Sequence, residues 1–281
     1  MPDIQFSKYH ALENDFIVIE SRGRRLPKKS LQRLAQTICN RRSGIGADGV
    51  AYLSTSRKAD KRIDIYNADG SWAEKSGNGL RIAAVHLSRK SRGKRRFVFE
   101  TATSKDLVTL GRLTRQGRLA TAELGRPDFR AASVPVKVKK PFVINMPLKT
   151  GPEALPVTCL SVGNPHTVLV VQSFDFDWQT IGADLEQAKH FPNGTNVEFV
   201  RVTSRKRLEV ADWERGAGAT GSSGTGAAAA VCAMVMLGLA ERECEVVFRT
   251  GSLQVHWRAD DDIIELTGPV QLVCRGIFPS R

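Results

Sequence analysis

The chain has no apolar run long enough to cross a bilayer. Its longest, Gly226 to Ala240, is fifteen residues, Ala-rich and bounded by Glu241 and Arg242, whereas a spanning helix needs about 20. It reads instead as a buried helix. The opening segment MPDIQFSKYH carries no apolar stretch behind its charges and does not read as a secretory signal. Cysteine is sparse: Cys39, Cys159, Cys232, Cys244 and Cys274 form an odd set with no CxxC pair and no histidine at metal-ligand spacing. That argues against a disulfide framework and against a zinc site. Four of the five lie in apolar or mixed runs, where a free thiol is a small buried hydrophobe. A reducing, cytoplasmic setting is expected.

What is present is the composition of an ordinary globular protein, 41% hydrophobic and 25% charged. A length of 281 residues suits two domains. The net charge of +13 is unevenly placed: residues 1–140 hold 30 Lys and Arg against 13 Asp and Glu, and residues 141–281 hold 12 against 16. The densest basic runs, Arg22 to Arg33 and Arg89 to Arg96, are broken by Gly, Pro or Ser and read as loops. Such a field attracts anions or nucleic acid. A solvated face is the plainer account, and no RNP, KH or Cys/His motif supports a nucleic-acid partner.

Short alternating runs predict strands at Ile4 to Phe6, Phe16 to Ile19, Ile63 to Tyr66, Arg96 to Glu100, Thr167 to Val171, Val197 to Val202 and Glu245 to Phe248. Helical spacing is confined to Ser30 to Cys39, Gly79 to Ser88, Asp184 to His190 and Thr225 to Leu239. The class is therefore a strand-dominated α/β (α+β) chain. One pattern occurs twice: Ser76-Gly-Asn-Gly-Leu-Arg-Ile-Ala-Ala and Ser223-Gly-Thr-Gly-Ala-Ala-Ala-Ala-Val, 147 residues apart, each opening an apolar helix. Half-length spacing with a shared apolar continuation is the mark of a duplicated domain.

Each copy sets a small polar residue and two glycines at a helix start. Glycine lets backbone approach a ligand closely, and the unpaired first-turn N–H groups at the positive end of the helix dipole bind anions. Two such termini acting on one carboxylate suit removal and return of the α-proton of an amino acid, because preorganised donors stabilise the charge that develops as the proton leaves. The plainer alternative is that Ser76 and Ser223 are N-caps, a role serine fills well.

Seven stretches then point to one family. They are Lys8 to Phe16, Arg41 to Val50, Tyr66 to Ser71, Glu74 to Arg81, Gly163 to His166, Gly194 to Phe199, and Glu214 to Thr220 with Gly224-Thr-Gly. In this order they resemble the signature of diaminopimelate epimerases. The resemblance implies two pseudo-symmetric domains, each a curved, mainly antiparallel sheet around a central helix. Residues 1–130, joined by a returning strand over 266–281, would form the first, and residues 131–265 the second. The site would lie in the cleft between them. It implies an amino-acid isomerase without cofactor or metal, interconverting LL- and meso-diaminopimelate for lysine and peptidoglycan precursors. The partner would be a small amino-acid substrate, with a homodimer compatible and no membrane association. By position, Ser76, Ser223, His166 and Glu214 match residues at the reacting centre. Gly77, Asn78, Gly224 and Thr225 match the carboxylate cradle, and Asn14, Asn67, Asn164, Asn196 and Arg215 match residues holding the distal amino-acid end.

Three departures stand out. Where the family has two catalytic cysteines, this chain has Ser76 and Ser223; a thiol ionises near pH 8.5, while a serine hydroxyl needs an adjacent base. Gly49 stands where many members carry a side-chain amide, and Glu13 where a glycine is usual.

Overall fold

The computed structural model describes residues 3–21, 23, 25–91, 93–102, 104–149 and 154–279. The chain forms two compact units, one of residues 1–123 with 267–281 and one of residues 124–266. In the first, the strands are β1 (Ile4–Ala11), β2 (Asn14–Glu20), β3 (Gly49–Ser54), β4 (Lys61–Asn67), β5 (Trp72–Ala73), β6 (Arg96–Glu100), β7 (Lys105–Thr114) and β8 (Gly117–Gly125). Helix α1 (Lys28–Ile38) joins β2 to β3, and α2 (Gly77–Ser88) joins β5 to β6. Sheet neighbours are antiparallel except β2 with β3 and β4 with β6. Parallel neighbours require a crossover, and the two helices supply it.

The second unit repeats this plan. Its strands are β9 (Met146–Lys149), β10 (Ala154–Ser161), β11 (Pro165–Val170), β12 (Asn196–Ser204), β13 (Arg207–Glu214), β14 (Gly218–Ala219), β15 (Glu243–Phe248) and β16 (Gly251–Trp257). Among the described residues two pairs are again parallel: β11 with β12 across α3 (Trp178–Glu186), and β13 with β15 across α4 (Gly224–Met236). The last strand is β17 (Ile264–Phe278). The starts of β3, α2, β6 and β8 each precede those of β12, α4, β15 and β17 by 147 residues. The echo seen around Ser76 and Ser223 is therefore one point of a repeat that runs through the chain.

Each sheet curves around one apolar helix. Helix α2 is buried from Gly77 to Leu87 and packs on β1, β2, β3, β6 and β7; α4 is buried from Gly224 to Met234 and packs on β10 to β13, β15 and β16. A helix with no polar face has nowhere to lie but inside, and the alanines of α4 let strands approach from all sides. Helix α1 is amphipathic instead, and its Leu31, Ala35 and Ile38 cover Ile17 and Ile19 on the other face of β2. In the first unit β17 pairs antiparallel with β1 and also with β8, so that sheet closes on itself.

The seven predicted strands fall within β1, β2, β4, β6, β11, β12 and β15, give or take an end residue. The helix expected over Asp184 to His190 is displaced: α3 starts at Trp178, where Asp177 caps it by accepting from the Thr180 N–H, and it ends at Glu186. The basic runs are not wholly loops, because Lys28 to Arg33 is helical and Arg96 opens β6. Arg22, Arg24 and Arg92 of those runs lie outside the described residues.

Candidate active site

Ser76 precedes α2 in extended conformation, and its hydroxyl accepts the Gly79 N–H at 3.0 Å. A Cβ on Gly79 would come within 3.3 Å of both Ser76 Cβ and Oγ and 2.8 Å of Ile65, so the cap needs glycine there. In the helix's first turn, Asn78 Nδ2 donates to Asn14 Oδ1 at 2.9 Å, and Arg81 Nη2 donates to Asn78 Oδ1 at 2.5 Å. Asn14 in turn donates to Asp48 Oδ2 at 3.0 Å, and Asp48 shares Arg41 with Asp15. This network fixes both asparagines. Asn67, opposite Gly49 in the β3–β4 ladder, donates to Ser71 Oγ at 2.9 Å within its own turn.

The second unit repeats the constellation with other side chains. Ser223 caps α4 by accepting the Gly226 N–H at 3.1 Å. Thr225 stands where Asn78 does, and Asn164 Nδ2 donates to its hydroxyl at 3.3 Å, as Asn78 and Asn14 pair in the first unit. Beyond Asn164 the chain of contacts continues inward: His166 Nε2 meets Asn164 Oδ1 at 2.9 Å and His166 Nδ1 meets Glu198 Oε1 at 2.6 Å. An amide oxygen only accepts, so Nε2 carries the proton and Nδ1 shares one with Glu198. Glu198 is fully buried, and burial raises its pKa despite the imidazole. Both nitrogens of His166 are thus occupied, and neither is hydrogen-bonded to Ser223. Among the described residues no group accepts a hydrogen bond from either serine hydroxyl.

At the end of β13, Thr220 bridges Glu214 Oε1, at 2.7 Å, and Asp212. Burial first, and then the Glu214 charge, push the Asp212 carboxyl well up. One hydroxyl proton cannot serve two carboxylates; a protonated Asp212 donating to Thr220, which donates to Glu214, satisfies all three. Asn196 donates to Pro165 O at 2.7 Å and accepts the Arg215 N–H at 3.0 Å. The Arg215 guanidinium reaches Asn193 O at 3.2 Å and passes so close to Gly194 that a Cβ there would meet its Cδ at 3.1 Å.

The two half-sites differ in charge. The first holds Arg81, wholly buried, with Nε and Nη1 unpaired and its pKa lowered to about 10 by desolvation. Its counterpart in the repeat is Ala228. The second holds Glu198, Asp212 and Glu214, whose counterparts are Ala51, Ile65 and Asn67. Sequence reading did not single out Arg81, Glu198 or Asp212, although each is a charge inside an apolar run: Leu80-Arg-Ile, Val197-Glu-Phe and Ala211-Asp-Trp. Of the two other positions noted in the sequence, crowding accounts for Gly49, while Glu13 sits in a turn that favours glycine. A Cβ at Gly49 would lie 2.7 Å from Tyr66 O and 2.8 Å from the Phe16 ring. Glu13 occupies the hairpin turn at φ 67, where the repeat has Gly163 at φ 102.

A doubled sheet-and-helix plan with a capped, glycine-bearing helix start in each half belongs to a fold shared with solved racemases and epimerases. A hydroxyproline epimerase from Agrobacterium vitis, solved with bound trans-4-hydroxy-L-proline, has the same fold: TM-score 0.74 at 13% identity, covering 98% of this chain and 92% of that one. The diaminopimelate epimerase family model matches residues 6–122 and 158–273, one stretch for each repeat, and the chain belongs to that family. It is 38% identical over 280 residues to the diaminopimelate epimerase of Carboxydothermus hydrogenoformans, covering 98% of this chain and 99% of the relative. To that of Caldanaerobacter subterraneus it is 36% identical, covering 97% and 98%.

Proposed function

We propose that the chain binds diaminopimelate and interconverts its LL and meso forms without a cofactor, by taking the α-proton from one face and returning it from the other. The observation that carries this reading is the pair of equivalent helix starts, each with a hydroxyl at the cap and free first-turn N–H groups beyond it. We assign the reacting carboxylate to the helix starts at Gly77, Asn78, Gly224 and Thr225, and the two proton transfers to Ser76 and Ser223. As the C–H bond breaks, its electron pair delocalises into the carboxylate, where the N–H donors meet the added charge. The opposite residue then delivers a proton to the carbon with inversion. Asn14, Asn67, Asn164, Asn196 and Arg215 would hold the distal amino-acid end, and His166 and Glu214 would border the reacting centre. We place the protein in the cytoplasm, with the amino acid as its partner; a homodimer is compatible with this reading.

Serine at both proton-transfer positions favours a second reading, an amino-acid binding protein with little turnover, because each hydroxyl is committed to its helix and, among the described residues, is hydrogen-bonded to no base. Exchange of the α-proton of LL- and meso-diaminopimelate in D₂O separates the two. General acid–base groups contribute about 10²–10⁴-fold when their pKa matches the operating pH, so Ser76→Cys/Ser223→Cys is expected to exchange faster than the parent by at least the lower figure. Equal, fast exchange in both would show that His166, Glu214 or another group transfers the proton.

A further inference from the structure

A cavity of about 640 Å³ opens in the first unit at the C-terminal end of α2, within the size range of small-molecule sites. Twelve residues of helix, about 18 Å at 1.5 Å each, separate it from the cap at Ser76. The strand register builds its wall: Ser7 pairs with Val18 on one side and with Arg275 on the other, and all three line the space. Its floor is a hydrogen-bonded chain in which Tyr9 Oη meets His86 Nδ1 at 3.2 Å and His86 Nε2 meets Glu20 Oε1 at 2.8 Å. Lys90 is tied to the same carboxylate at 2.5 Å.

Arg89 and Arg275 differ from Lys90. Both line the cavity, and among the described residues neither guanidinium makes a hydrogen bond or ion pair, the bonds of these residues being those of the backbone. Burial raises the Tyr9 phenol, and both guanidinium charges act to lower it, so they converge on that one point. Helix-end cations commonly bond the last carbonyls, but Arg89 makes no such side-chain bond. Apart from His86, the charged groups lining the space are Glu20, Arg89, Lys90 and Arg275, an excess of two positive charges. A phosphate monoester carries close to two negative charges at neutral pH and takes guanidinium forks in pairs of N–H bonds.

We propose that this cavity is a second binding site, distinct from the candidate active site, for a small molecule bearing a phosphate group, held by Arg89 and Arg275 with the Ser7 hydroxyl as a further donor. The phosphate sits toward the two guanidinium groups, and the rest of the molecule lies along Val18 and Ile277. The basic run beginning at Arg89 then has a local function, with its first residues serving a pocket.

Calorimetric titration of the full chain at physiological ionic strength tests this, with inorganic phosphate and ribose 5-phosphate as probes. Ribose 5-phosphate is expected to bind more tightly than inorganic phosphate, since only it fills the apolar wall; the reverse order would assign the site to the free ion. Arg89→Ala/Arg275→Ala is expected to weaken both at least tenfold with an unchanged melting temperature. Arg96→Ala, which removes an exposed charge of the same run outside the cavity, should change neither. Equal weakening by Arg96→Ala, or a single-stranded RNA that binds while neither phosphate probe does, would overturn the proposal in favour of a diffuse basic face.

Discussion

Arg81 is a buried charge with no carboxylate partner among the described residues, and such a group is expensive unless something neutralises it. Its one side-chain bond, to Asn78, lies in the first turn of α2, where the proposed substrate carboxylate would supply the missing negative charge. Two effects of Arg81→Met follow. Stability without ligand should stay level or rise by about 1–3 kcal/mol, since a buried ionic group is exchanged for an apolar one of similar length. Affinity for diaminopimelate should fall, because the cradle loses its charge and Asn78 its anchor. Denaturant unfolding and calorimetry on the same variant check both; a large loss of stability with unchanged affinity would make Arg81 purely structural. Arg215→Lys probes the distal end, where losing the planar fork should weaken diaminopimelate binding.

Among the elements, the β1–β2 hairpin shows what sequence could and could not reveal. Alternation marked both strands, but the turn between them needs positive φ at Leu12 and Glu13, φ 51 and 67, and no spacing rule announces that. Glycine adopts this region without a Cβ penalty, so Glu13→Gly is expected to raise stability by about 0.5–1 kcal/mol, read as a shifted denaturation midpoint. The central helices were legible because an all-apolar run has only a buried solution, and the paired serine-glycine starts stood out as a repeat. Helix α3 was misplaced because its start is set by one Asp177 side chain rather than by an apolar stripe. Glu198 and Asp212 were passed over for a related reason: in an alternating strand a charged residue looks like a solvent-facing position, and only the fold shows that β12 and β13 are covered on both sides at these points, leaving both carboxylates buried.

For the molecule as a whole, those two carboxylates, together with Asp48, whose carboxyl burial also pushes up, shape how stability responds to pH. Glu198 and Asp212 hold protons more tightly folded than unfolded, so the native state carries more protons above the ordinary carboxylate range, and stability falls as pH rises through that window. Glu20 works the other way, its hydrogen bond from His86 lowering it to about 2, but its contribution is lost only below about pH 4.5. Melting temperature should therefore decline from pH 5 toward pH 8, and Glu198→Gln/Asp212→Asn should flatten the decline. An identical slope in that variant would mean other groups set it. The excess of positive charge in residues 1–140 adds a salt dependence that is greatest for the first unit.

The returning strand β17 has a consequence for synthesis. Residues 124–266 form the second unit as one uninterrupted stretch, whereas the first needs residues 267–281 as well. On the ribosome, the half made first is the half completed last. Until β17 arrives, β1 and β8 present open backbone edges to other nascent chains, the condition under which strand pairing goes astray.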